Sequence, residues 1–80
     1  MYIEDKYTIS GRGTVVTGRI AKGDITTNDY VFIDGSLYPI KVLGIEKNGK
    51  LWEHANQGEA VGLLLDPQAD YVQVGNTIYK

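Results

Sequence analysis

The sequence contains no cysteine, two prolines, one histidine, and single residues of methionine, tryptophan and phenylalanine. Without cysteine, neither a disulfide nor a thiolate zinc site can hold the chain together. Its 80 residues must instead be stabilised by apolar packing and a hydrogen-bond network that leaves few strand edges open. A chain of this length buries roughly 60% of its unfolded surface and is read as one domain, residues 1–80. The absence of thiols fits a reducing compartment. No apolar run approaches the roughly 20 residues that cross a bilayer. The start, MYIEDKY, lacks the basic and apolar segments of a secretory leader. The expectation is a soluble, cytoplasmic chain that engages no membrane. A starting Met and a finish on an apparent strand point to a complete small product. His54, with Glu53 beside it, has no nucleophile set out by a motif, so no catalytic dyad is expected. It reads as a structural or surface residue. No enzyme activity, metal or cofactor is expected.

Negative charge is in slight excess, with a formal net charge of −2, which argues against strong nonspecific binding of nucleic acid. The distribution is uneven. Lys6, Arg12, Arg19 and Lys22 lie in a stretch, residues 6–22, that contains no acid. All ten acidic residues and the other four basic ones lie outside it, so a segment of +4 sits in a background of −6.

Helical periodicity is hard to find, whereas strand signals recur along the chain. Residues 2–9 alternate and are rich in aromatic and β-branched types. GTVVTGRIAKG, residues 13–23, follows a glycine turn, with Val15, Thr17 and Arg19 on one face and Val16, Gly18 and Ile20 on the other. KGDITTND, residues 22–29, reads as a loop. Strands are expected over 29–34, 37–47, 50–54, 59–66 and 76–80. Asp34-Gly35 and Asn48-Gly49 supply tight turns, and Pro39 belongs at an edge or near a strand start. Pro67 stops the apolar run before it, and the segment that follows has room for one helical turn. Gly18, Gly44 and Gly62, each inside a strand pattern, suit bulges or sharp bends. Several of the tyrosines within the strands are expected to fill or brace the barrel or to pack across strands rather than to serve as stacking platforms for bases, and Trp52, just after a turn, is the aromatic to test for exposure. Six or seven short strands at this spacing point to an all-β domain, and closure into a barrel removes the edges a small cysteine-free domain can least tolerate.

SGRGTVVTGR, residues 10–19, invites comparison with a phosphate-binding loop. Such a loop needs a glycine-rich backbone, a lysine, and a serine or threonine at a helix start. Here the interior is Thr-Val-Val-Thr, the lysine position holds Arg19 and the metal-ligating position holds Ile20. β-Branched residues favour extended chain, so no nucleotide site is expected. What remains is a tight turn, Gly11-Arg12-Gly13, that presents Arg12 from a loop where it can meet a phosphate.

The stretch IEDKYTISGRGTVVTGRIAKGDI, residues 3–25, resembles the start of the second domain of elongation factor Tu and related translational GTPases. The family pattern is E-D-x-aromatic, then [ST]-G-R-G-T-V-x-T-G-R and a short turn with glycine. NQGEAVGLLLD, residues 56–66, and VGNTIYK, residues 74–80, resemble later segments, so the likeness spans nearly the whole chain. It implies a closed six-stranded Greek-key β-barrel. It also implies that Gly11, Arg12 and Gly13 form a turn that faces ribosomal RNA. By the same resemblance Glu4 and Asp5 lie beside an aminoacyl group, and Glu46 lies near the terminal adenosine of tRNA. Ala60 stands where the family has asparagine. The P-loop, D-x-x-G and N-K-x-D motifs of the GTPase domain are absent from these residues.

Two functions follow. The first is a translation-factor-like barrel without GTPase activity that weakly contacts the ribosome or tRNA through Gly11, Arg12, Gly13, Arg19 and Lys22, with Lys6 as a further cation. The alternative is a protein-interaction barrel that has lost RNA binding and meets a protein partner.

Overall fold

The computed structural model describes residues 1–36, 38–69 and 71–80. Among the described residues nine strands follow one another: β1 (Asp5–Ile9), β2 (Gly13–Arg19), β3 (Asp24–Thr26), β4 (Tyr30–Ile33), β5 (Ile40–Lys47), β6 (Lys50–Trp52), β7 (His54–Asn56), β8 (Ala60–Leu65) and β9 (Ile78–Tyr79). A single 3-10 turn, Pro67–Ala69, is present among the described residues, and Pro67 ends the apolar run of β8. No helix among the described residues is long and apolar enough to cross a membrane. All strand pairs are antiparallel, and the hydrogen-bonded path runs β1-β2-β8-β5-β4-β9, with β6 added to β5 and β3 paired to β7 as a separate ribbon.

The ladder stops at β1 and β9, and the chain start bridges the two ends. Ile3 N–H donates to Asn76 O at 2.9 Å, Gly75 N–H donates to Ile3 O at 2.9 Å and Ile78 N–H donates to Met1 O at 2.7 Å. Tyr2 and Thr77 form an isolated bridge, while Glu4 N–H donates to Thr17 O at 2.8 Å and continues the β1–β2 pairing. Gly18 makes this seam possible. A Cβ at that position would run into the backbone oxygen of Tyr2, so only glycine lets the first residues lie across β2.

The expected strands are present, with informative differences. Residues 22–29, read as a loop, contain β3, and residues 50–54, read as one strand, divide at Glu53 into β6 and β7. Three residues with one inward apolar side chain, Ile25 in β3 and Ala55 in β7, are too short to show alternation. The strand read from residue 37 begins at Ile40, directly after Pro39, and Leu37 lies outside the described residues. Asn48 and Gly49 both take positive φ, 53° and 79°, as a two-residue hairpin turn requires. Gly44 sits at a register shift between β5 and β8, the bulge its position suggests.

The core is aliphatic throughout. Val16, Leu63 and Ile45 face one another across β2, β8 and β5, and Val31, Val42, Leu65 and Val72 are fully buried beside them. The expectation that tyrosines fill the core is corrected: all six, with Phe32 and Trp52, are exposed, Phe32 least at 40%. The buried cluster is made of Ile, Val and Leu with Met1, Ala55 and Ala69, and no aromatic ring takes part in it. Trp52 is 49% exposed, with the Lys47 ammonium 4.3 Å from its ring centroid. Lys47 also pairs with Glu59 at 3.0 Å.

Three tests follow from this architecture. Gly18→Ala is expected to destabilise the fold by about 2 kcal/mol or more through overpacking, whereas Gly44→Ala, whose added Cβ meets Leu64 Cβ at 3.8 Å, leaves the urea midpoint nearly unchanged. Thr14 is fully buried, and its hydroxyl has no hydrogen-bond partner among the described residues. Thr14→Val is therefore expected to stabilise by about 1 kcal/mol, read as a higher melting temperature. The third concerns acid. Asp29 is held below the usual carboxylate range by the Thr26 N–H and by Lys80, and Glu59 by the Asn56 N–H and by Lys47. Lowered carboxylate pKa values stabilise the fold above their unfolded values, and that stability is lost as pH falls through the lowered ones. Denaturant titrations should show stability falling on the acid side of the ordinary carboxylate range, and Asp29→Asn should flatten that fall.

Candidate nucleic-acid interface

Side chains alternate along a strand, so burying Val16, Leu63 and Ile45 turns their neighbours outward. Two rows result on the outer face. One runs Tyr7, Val15, Leu64, Gly44, and the other runs Asp5, Thr17, Gly62, Glu46, Leu51. Each row carries a glycine, and the missing side chains leave the middle of the face bare. A Cβ at Gly62 would lie 3.4 Å from Val15 Cγ1 and 3.9 Å from Glu46 Cβ. Any larger side chain there would grow into the space between them.

Two adjoining depressions occupy that space. The first, about 250 Å³, has Val15 and Leu64 in its floor, Ile9 and Leu51 at its sides, and both Arg12 and Glu46 in its lining. Val15 is buried yet stands outside the main core cluster, so it serves this outer slot. The second, about 300 Å³, brings Glu4 and Glu46 to one cavity with Tyr7, Thr17, Asn48 and Ala60. Glu46 and Gly62 belong to both.

Arg12 reaches the slot from the turn between β1 and β2. Its N–H donates to Ile9 O at 3.0 Å, closing the turn. Gly11 has φ 76° and Gly13 φ 146°, and a Cβ on Gly13 would collide with the Leu65 backbone oxygen. The glycines thus serve backbone geometry and leave Arg12 as the functional group. Its guanidinium makes no ion pair among the described residues.

The structure does not gather the expected cations. Arg19 closes the opposite end of β2, a strand of seven residues, about 20 Å away at the rise of extended chain. Its Nη1 donates to Gly58 O at 2.5 Å, which ties the β7–β8 turn. Lys22 is exposed in the loop beyond. Arg12 alone joins Glu46. Asp5 shares a row with Glu46 but does not line either depression; its Oδ1 accepts the Lys6 N–H at 2.8 Å. Glu4, one residue earlier, is the member of the pair that enters the second depression.

Ile9, Val15, Leu64, Leu51 and the bare positions Gly44 and Gly62 were not singled out as site residues from sequence. Their signal is parity: once Val16 and Leu63 are assigned inward, Val15, Leu64 and Gly62 must face out. His54 lies away from this face, on the β3–β7 ribbon. Its Nδ1 is 3.0 Å from Thr26 Oγ1, and its Nε2 is 2.9 Å from Asn56 Oδ1 and 3.4 Å from Asp24 Oδ2.

No family model matches the chain. The fold is similar to translation elongation factor SelB from Methanococcus maripaludis in its apo form, at 26% identity and a TM-score of 0.82, over 98% of this chain and 18% of that one. It is also similar to a bacterial selenocysteine-specific elongation factor, EF-Sec, at 24% identity and a TM-score of 0.82, over 99% of this chain and 14% of that one. The chain spans less than a fifth of the length of either protein. Over its whole length it is similar to one domain of these translational GTPases, a domain of the elongation factor Tu type.

Proposed function

We propose that this chain is a translation-factor-like module that binds RNA through the outer face of β2, β8 and β5, with the ribosome or tRNA as partner. It acts in the cytoplasm and has no GTPase or other catalytic activity of its own. The strand path and the bridge at the chain start are read together as the six-stranded Greek-key barrel the resemblance implies.

One observation carries the reading: Arg12 and Glu46, from different strand ends, line a single slot with an apolar floor. Val15 and Leu64 offer a flat surface to the face of an unstacked base. Glu46 accepts a hydrogen bond from an exocyclic amine or a ribose 2′-hydroxyl, and Arg12 meets the phosphate. The neighbouring depression, with Glu4 and Glu46, favours a positively charged or amino group attached to that nucleotide. Ala60 in its wall leaves out one polar contact.

The salt dependence follows from the geometry. A single arginine in the slot corresponds to about one neutralised phosphate, so the log–log slope of affinity against salt is expected near −1 rather than −3 or −4. Co-sedimentation with ribosomal subunits, and anisotropy with a labelled single-stranded RNA, measure it. Arg12→Ala is expected to weaken binding by about tenfold without changing the melting temperature. Gly62→Val, which fills the slot, is expected to do the same, while Arg19→Ala and Lys22→Ala change it less than about twofold. Unaltered binding by both Arg12→Ala and Gly62→Val would remove this function.

A further inference from the structure

A concavity larger than either depression lies elsewhere. It is a cleft of about 830 Å³ between the loop that follows β4, the start of β5 and the segment after β8. It shares no lining residue with the two depressions on the outer face. Tyr30, Tyr38 and Tyr71 line it, and each is at least half exposed, Tyr38 most at 77%. These rings are surplus to the aliphatic core, and exposing three of them around one cleft forgoes the burial such side chains ordinarily gain.

Hydrogen bonds run along both walls among the described residues. Ser36 N–H donates to Ile33 O at 2.8 Å, Ala69 N–H to Asp66 O at 2.8 Å, and Val72 N–H to Ala69 O at 3.1 Å. Ser36 Oγ lies 3.4 Å from the Tyr71 hydroxyl and accepts the Tyr38 N–H at 3.3 Å. One serine therefore ties the two walls, through the Tyr38 backbone on one side and the Tyr71 hydroxyl on the other.

Charge selects the occupant. Asp34 and Asp66 line the cleft, with Lys41 as the cation among the described lining residues. Asp34 is exposed and makes no ion pair among the described residues. A phosphate chain would be repelled by these carboxylates, and a neutral apolar ligand would desolvate them without return. A guanidinium or ammonium group satisfies both features: its charge meets Asp34, and its face or stem lies against tyrosine rings, which attract cations through their negative π-faces. The cleft volume exceeds one such side chain and accommodates flanking residues of an extended peptide.

We propose that this cleft binds an arginine or lysine side chain presented by an extended peptide of a partner protein. The probe is an acetylated, amidated hexapeptide of alternating proline and arginine, titrated into the isotope-labelled full chain and followed by amide chemical shifts. The expected result is shifts confined to residues 30–41 and 66–76. Tyr38→Ala and Asp34→Asn are each expected to weaken binding about fivefold, and Tyr38→Phe, which keeps the π-face, to retain it within about twofold. Amide spectra of the free variants verify that each is folded. Equal binding of a peptide with glutamate in place of arginine would overturn the proposal. So would shifts that map to Val15, Glu46 and Leu64 instead, an absence of shifts, or displacement of the cleft signals by an oligouridine rather than the peptide.

Discussion

The register in which β8 lies between β2 and β5 determines most of this molecule. Pairing Leu63 with both Val16 and Ile45 packs three aliphatic side chains into one inner row. Because the side-chain period is two, the same pairing places Gly62 between Thr17 and Glu46, and Leu64 between Val15 and Gly44. Core and outer slot are two faces of one register. A slip of β8 by one residue would turn Gly62 and Leu64 inward and expose Val61, Leu63 and Leu65, and so erase both the core and the site together.

Glycine has two distinct duties in this arrangement. Gly13 and Gly18 are bare because backbone oxygens, of Leu65 and Tyr2, occupy the space where a Cβ would stand. These close contacts hold the β1–β2 turn and the seam at the chain start. Gly44 and Gly62 meet only ordinary side-chain contacts, so the fold tolerates a methyl there. Their lack of a side chain instead creates a concavity on an otherwise filled face. The first pair is structural and the second is suited to a ligand, a distinction that sequence position alone does not make.

Much of this was legible from residue order. The stiff run Thr14-Val15-Val16-Thr17 favours extended chain and excludes a phosphate loop, and the Asn48-Gly49 turn fixes the β5–β6 hairpin. Arg12, singled out from its glycine turn, and Glu46, singled out through a family resemblance to a different role, both line one slot. Other features were hidden for physical reasons. The ribbon strands β3 and β7 each bury one side chain, which leaves no periodicity to read. The acid-free stretch from Lys6 to Lys22 looked like one cationic edge. An extended strand separates its members along its length, however, and Arg19 is spent on the Gly58 carbonyl. The aromatic residues carry strand propensity, yet propensity does not tell inside from outside. Here a core of Ile, Val and Leu left every ring on the surface.

The central claim is that the outer face of β2, β8 and β5 receives an unpaired nucleotide between Arg12 and Glu46. Amide and methyl chemical-shift mapping during titration with a short single-stranded RNA addresses it residue by residue. The largest changes are expected at Ile9, Val15, Glu46, Gly62 and Leu64, with the β3–β7 ribbon unmoved. Changes centred on Arg19 and Lys22, or none at RNA concentrations that saturate ribosome association, would contradict it.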